Sequence, residues 1–285
     1  MSLRALHSRV ASIIWEPLGS PRSLHNSCKV ALACCTLLGS SHLVLGATLA
    51  ANTLPTNGQV VAGQAVITQS SGAKPVMNIN QTSTRAVIDW SSFNVGKNAT
   101  VNFNTPGANS ATLNRVNDVT ASMINGAVNS NGQIIFVNSN GVTFGKGAQV
   151  NAPGVVATTM NISNATFMEN NNQQTFSGNG TGAVVNQGRI NVSNYVALLA
   201  PEVRNEGYII ATKGATAVIG AGKQITLNFS DNRLITMNVD IGVYNALISN
   251  SRVIEAQGGL VILSASAANE LSGSVIKNTG RITAS

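Results

Sequence analysis

From residue 51 onward, apolar residues come in short runs or in alternation, as in 59–67, 132–137, 142–144, 183–192 and 260–264. Each run ends after four to nine residues at Gly, Asn, Ser or Pro. Alternation with period two sets one strand face against a core and the other toward solvent, and the terminating residues are those that tolerate turns. No long segment repeats its apolar residues at helical spacing. Val, Ile and Thr, stiff at χ1 and suited to a pleated surface, make up about 28% of residues 51–285. The pattern predicts an all-β chain.

Two strings recur within it. Asn186-Gln187-Gly188-Arg189-Ile190 returns as Asn205-Glu206-Gly207-Tyr208-Ile209 and Asn278-Thr279-Gly280-Arg281-Ile282, with a weaker copy at Asn250-Ser251-Arg252-Val253-Ile254. A second pattern joins Val196-x-Leu198-x-Ala200, Ala217-x-Ile219-x-Ala221 and Val261-x-Leu263-x-Ala265. The first copies lie 19, 45 and 28 residues apart. If the longest gap hides one degenerate copy, the mean repeat is 23 residues, which suggests a parallel β-helix whose coils bury apolar residues by stacking. At that repeat the chain would form on the order of ten coils and a rod about 50 Å long. A β-sandwich with coincidental repeats is the alternative.

Composition gives the corners a reason. Asn supplies 35 of the 285 residues and Gly 27. Gly, and often Asn, tolerates left-handed backbone, and Asn amides can stack in hydrogen-bonded ladders at the strand spacing of about 4.8 Å.

Residues 1–50 differ from the rest and read as an export signal, extended or begun from a start codon placed too early. Arg4, Arg9, Arg22 and Lys29 face only one acid, Glu16, before the apolar run 30–45. Small residues at 46–48 follow, with Ala50 and Ala51 as cleavage candidates. Ser40, Ser41 and His42 interrupt the run, against the roughly 20 apolar residues a bilayer span needs. A buried helix or membrane anchor is the competing reading, and Ala31-Leu32-Ala33-Cys34 is a poor lipidation site. All three Cys and all three His lie here.

Removing this segment lowers the formal charge from +7 to +4. The remaining cations are scattered singly, which argues against a nucleic-acid partner. Without Cys or His after residue 50, the chain cannot build a His-dependent triad, a thiol nucleophile or a Cys/His zinc site. Cofactors, metals and catalytic residues are expected to be none. A thiol-free chain also suits a polypeptide that stays unfolded while crossing a second membrane.

Carboxylate chemistry needs paired acids at a set distance. The nine acids after residue 50 are mostly isolated, and the one close pair, Glu202 and Glu206, reads as solvated rim. Gly220-Ala221-Gly222-Lys223 and Gly145-Lys146 lack the other residues of a phosphate loop and read as turns.

The most specific stretch runs from 111 to 162. It holds Leu113-Asn114-Arg115-Val116, then Asn131-Gly132-Gln133-Ile134-Ile135-Phe136-Val137-Asn138-Ser139-Asn140-Gly141-Val142-Thr143-Phe144-Gly145, then Gly154-Val155-Val156-Ala157-Thr158-Thr159-Met160. With Leu54-Pro55-Thr56-Asn57-Gly58-Gln59 and Ile88-Asp89-Trp90-x-x-Phe93-x-x-Gly96, it resembles the N-terminal two-partner secretion domain of filamentous haemagglutinin-like exoproteins, the haemagglutination activity domain.

The resemblance implies a right-handed parallel β-helix with an N-terminal cap and small extra-helical strands. The expected division is a signal at 1–50 and the secretion domain at 51–285, with the cap in 51–105 and coils in 106–285. The implied function is secretion targeting of a surface-exposed or secreted adhesin or haemagglutinin. The implied partners are the Sec machinery, an outer-membrane barrel transporter with periplasmic recognition domains, and a host-cell or carbohydrate receptor.

The family's Asn-Pro-Asn-Gly turn is matched by Asn138, Ser139, Asn140 and Gly141, with Ser in the Pro place. These four are the candidate transporter-recognition residues, set against the plainer role of a turn needed for folding. Two other functions stay open: a β-helix polysaccharide-active enzyme, marked by acids clustered in one groove, and a carrier of a contact-dependent C-terminal toxin. The chain stops just after a repeat without an atypical cap, so a fragment is expected.

Overall fold

The computed structural model describes residues 49–169, 171–212, 214–230, 233–267 and 275–284. The predicted signal lies outside the described residues except for Ala50 and its immediate neighbour Leu49.

Short strands separated by Gly and Asn corners wind into coils, and each coil contributes one strand to each of three parallel sheets. The first sheet stacks Arg85–Trp90, Ala111–Val116, Gln133–Val137, 154–158, 195–200, Thr216–Ala221 and Leu260–Ala265. The second stacks Val76–Gln81, Thr100–Asn104, Ala127–Ser130, 149–152, 189–192, Tyr208–Ala211, Val253–Ala256 and Arg281–Thr283. The third runs Ser122–Ile124, Val142–Phe144, Ala183–Asn186, Glu202–Asn205, Leu247–Asn250 and Val275–Asn278. The chain is therefore a parallel β-helix. Two long strands, Gln149–Thr158 and Arg189–Ala200, turn the corner between the first two sheets without a break in strand assignment.

The main sheets are antiparallel only at the N-terminus. Gln59–Ala62 lies antiparallel on Arg85–Trp90, and Ala65–Gln69 lies antiparallel on Val76–Gln81. Parallel pairing begins with the next strands, so the expected cap range holds both the antiparallel strands and the first parallel pairs.

Inward side chains from the three sheets form one core. Its N-terminal part is aromatic: Phe93 packs at 5.3 Å from Trp90 and 5.2 Å from Phe136, and Phe136 at 6.1 Å from Phe144. Later coils fill the same space with Val, Leu, Ile and Ala, including Val196, Leu198, Ile219 and Ile254.

The repeat arithmetic needs correction. Asn205 hydrogen-bonds directly to Asn250 across the 45-residue gap, and no degenerate copy lies between them. The gap holds an antiparallel hairpin, Gln224–Ser230 with Arg233–Ile241, which leaves the coil and returns. A second excursion carries the helix Asn164–Met168 and the strand Gln173–Ser177, which joins that hairpin. Steps without an excursion measure 19 to 28 residues. Because two excursions and the cap use chain length without adding rungs, the sheets have six to eight rungs among the described residues rather than ten.

The excursions lie against the outer face of the first sheet and build a second apolar cluster there. Val87, Leu113, Ile135, Val156, Ala197, Leu199 and Val218 from the sheet meet Phe167, Phe176, Ile225, Leu227 and Leu234 from the excursions.

Candidate functional site

The Asn138–Gly141 turn connects a first-sheet strand to a third-sheet strand, and its polar groups reach the coils on both sides. Asn138 is fully buried. Its backbone N–H donates to Thr158 O at 3.0 Å, and its Nδ2 donates to Thr120 O and Ser122 Oγ, both at 3.0 Å. Its Oδ1 accepts from Asn140 N at 2.9 Å, which shapes the turn from within. Asn138 O accepts from Gly141 N at 2.9 Å and closes it.

Gly141 has φ +115°, a conformation that favours glycine, and its carbonyl accepts from Ser122 N at 3.0 Å. Asn140 Nδ2 donates to Asp118 O at 2.7 Å in the preceding coil. In the following coil, Gly182 N donates to Ser139 O at 3.2 Å. A Cβ on Gly182 would meet the Asn140 carbonyl carbon at 2.3 Å, so glycine is what lets the two turns stack.

The four residues thus fasten three successive coils. Only Ser139 and Asn140 of the four are exposed. Among the described residues only Asn57 has a left-handed backbone without being glycine, so Ser139 and Asn140 are not left-handed. The Ser139 N–H donates to no described group, and the turn closes with Ser where the family pattern has Pro.

A second constellation was not assigned a role from sequence. Arg115 pairs with Asp89 at 3.0 Å and reaches into the excursion, donating to Asn161 Oδ1 at 3.0 Å, Ile162 O at 3.0 Å and Asn164 Oδ1 at 2.8 Å. Nearby, Arg85 lies over the Phe167 ring at 4.7 Å and donates to Phe167 O at 2.9 Å. Burial lowers the Arg85 pKa and raises that of Tyr195, whose hydroxyl donates to Gln133 Oε1 at 2.7 Å. The Arg115 and Arg85 contacts fix the helical excursion to the first sheet. The available sequence signal was the continuous apolar run of a first-sheet strand such as 134–137, which calls for a cover on the outer side.

The acids stand apart. Glu202 pairs with Arg204 at 2.7 Å, and Glu206 accepts from Gln187 at 2.9 Å. Among the described residues no three His, Cys, Asp or Glu side chains group as metal ligands.

Fold and site together define a capped parallel β-helix with one sheet covered by excursions, and with a buried-Asn turn binding its early coils. The TPS secretion domain family model matches residues 47–285, and the chain belongs to that family. The two-partner secretion resemblance read from 111–162 thus holds. The chain is 33% identical over 233 residues to a heme/hemopexin-binding protein of Haemophilus influenzae, covering 79% of this chain and 25% of the relative. A second heme/hemopexin-binding protein from Haemophilus influenzae is 35% identical over 43% of this chain and 13% of its own length. This chain therefore spans a quarter or less of the curated relatives it matches. Among solved structures, the HMW1 secretion domain from Haemophilus influenzae superimposes with a TM-score of 0.64 at 30% identity, covering 80% of this chain and 62% of that one. The family is a secretion domain of exoproteins rather than an enzyme family, and its exoproteins are secreted across the outer membrane, to the cell surface or beyond.

Proposed function

We propose that this domain presents an exported exoprotein to a cognate outer-membrane barrel transporter, is recognised there before it folds, and folds as it emerges. The observation carrying this reading is the family match across the whole folded unit, 47–285. Export through the inner membrane by Sec and a final host-cell or carbohydrate receptor belong to the same proposal. Each coil buries apolar surface on the one before it, so folding outside the membrane opposes return without a nucleotide.

Within this scheme Asn138 acts as a turn former. Its amide is buried and bonded to a neighbouring coil, so a folded domain cannot offer it to a partner. An unpaired buried amide costs about 1–3 kcal/mol, enough to delay closure of the early coils. Ser139 and Asn140 are the residues of the turn that remain outside.

The test separates binding from folding. Unfolded wild-type and Asn138→Ala chains are titrated against the purified periplasmic domains of the cognate transporter, and their refolding is followed separately. Equal binding with impaired refolding supports the assignment. Lost binding would make Asn138 a recognition residue, and absence of binding by the wild-type chain would remove the transporter from the account.

A further inference from the structure

The outer face of the second sheet carries a continuous row of amides. Asn78, Asn102, Asn129, Asn151 and Asn191 occupy the same outward position on five successive rungs. Their amides form one chain in one direction: Asn191 donates to Asn151 at 2.8 Å, Asn151 to Asn129 at 3.0 Å, Asn129 to Asn102 at 3.2 Å and Asn102 to Asn78 at 3.0 Å. Each inner link uses one of the two N–H groups and one of the two acceptor positions of its amide, which leaves one of each for another molecule. Aligned amides polarise one another, so these remaining groups are stronger partners than isolated ones.

A groove of about 380 Å³ lies alongside, walled by Asn102, Asn129 and Asn151 on one side and by Asn104, Pro153 and Ser193 on the other, and no charged residue lines it. Past Asn191 the row continues as Ile210, and there a cation enters: Arg189 donates to Asn191 Oδ1 at 3.1 Å and lies over the Tyr208 ring at 5.8 Å.

We propose, building on the carbohydrate-receptor part of the proposed function, that this groove binds a neutral, extended glycan running along the helix axis. A sugar hydroxyl both donates and accepts, matching the one donor and one acceptor left on each amide. No charged residue lines the groove itself, so an acidic chain seated there lacks a cation to offset its desolvation; Arg189 stands outside the lining, at Asn191. Amides repeat at about 4.8 Å, close to the advance of an extended sugar chain per residue.

The test is isothermal titration of the secreted full chain with cellohexaose as the neutral probe and a heparin hexasaccharide as the acidic one. Saturable cellohexaose binding is expected, weakened about tenfold or more by combined Asn129→Ala and Asn151→Ala, with no heparin binding at physiological salt. Asn151→Ala alone, at an exposed position, serves should the double variant fail to fold. Secretion of these variants is scored in parallel, and normal export with weakened sugar binding separates the groove from the transport role. No cellohexaose binding by the wild-type chain, equal binding by a folded variant, or preference for heparin would overturn the proposal.

Discussion

The first and second sheets close the same coils around the same core, yet they are built from different sequence. In the second sheet the strands alternate, as in 189–192 and in Tyr208–Ala211, where every other residue is buried. In the first sheet Gln133–Val137 and Thr216–Ala221 are buried at every position. The difference comes from what lies outside. Solvent meets the second sheet, so amides and charges stand there, whereas the first sheet is covered by the helix Asn164–Met168 and the hairpin 224–241. A strand in this fold therefore reports its outer neighbour as well as its inner one.

Five substitutions would break or sharpen that contrast. The largest effect is expected at the cover. Phe167→Ala removes a fully buried ring from the outer cluster and should cost about 3–5 kcal/mol by denaturant titration, with loosened protection of 161–177 in hydrogen exchange. Arg115→Ala leaves Asp89, Asn161 and Asn164 without their shared partner. It should cost about 2–3 kcal/mol and release the same segment, measured by limited proteolysis.

The amide ladders give a comparison within one residue type. Asn205→Ala cuts the buried chain that links Asn186 to Asn250 and should destabilise by about 1–3 kcal/mol. Asn151→Ala cuts the exposed chain and should stay within about 0.5 kcal/mol in the same titration. Equal losses would mean that burial does not set the value of these amides. The last substitution is expected to give a gain. Ser139→Pro places a rigid residue where the N–H is unused, and should raise the unfolding free energy by about 0.5–1 kcal/mol.

The parts legible in sequence were those where burial forces a residue choice. The Asn that opens three of the four copies, Asn186, Asn205 and Asn250, sits at 0% exposure and its amide must be bonded, whereas Asn278 is exposed. The Nδ2 of each donates to the matching Asn Oδ1 of the next coil, so the residue repeats. Gly280, a Cβ on which would meet Arg252 O at 2.1 Å, shows why glycine recurs two places later. The 45-residue gap was misread because a hairpin that leaves and re-enters a coil keeps spatial register while breaking sequence register. Arg115 stood in the quoted motif without a role because its excursion partners lie 46 to 49 residues away. The Asn138–Gly141 turn was legible as a turn from Asn and Gly alone. Its attachment to coils on both sides was not, since Thr120, Thr158 and Gly182 belong to other turns of the chain.

Secretion with and without the transporter tests the account most directly. The chain ending at Ser285 is expressed in a Gram-negative host in the presence or absence of its cognate barrel, and folded protein in the medium and on the surface is quantified. Extracellular protein that appears only with the barrel is the predicted result. Equal export in both hosts, or a stably folded form retained in the periplasm and still secreted, would contradict it.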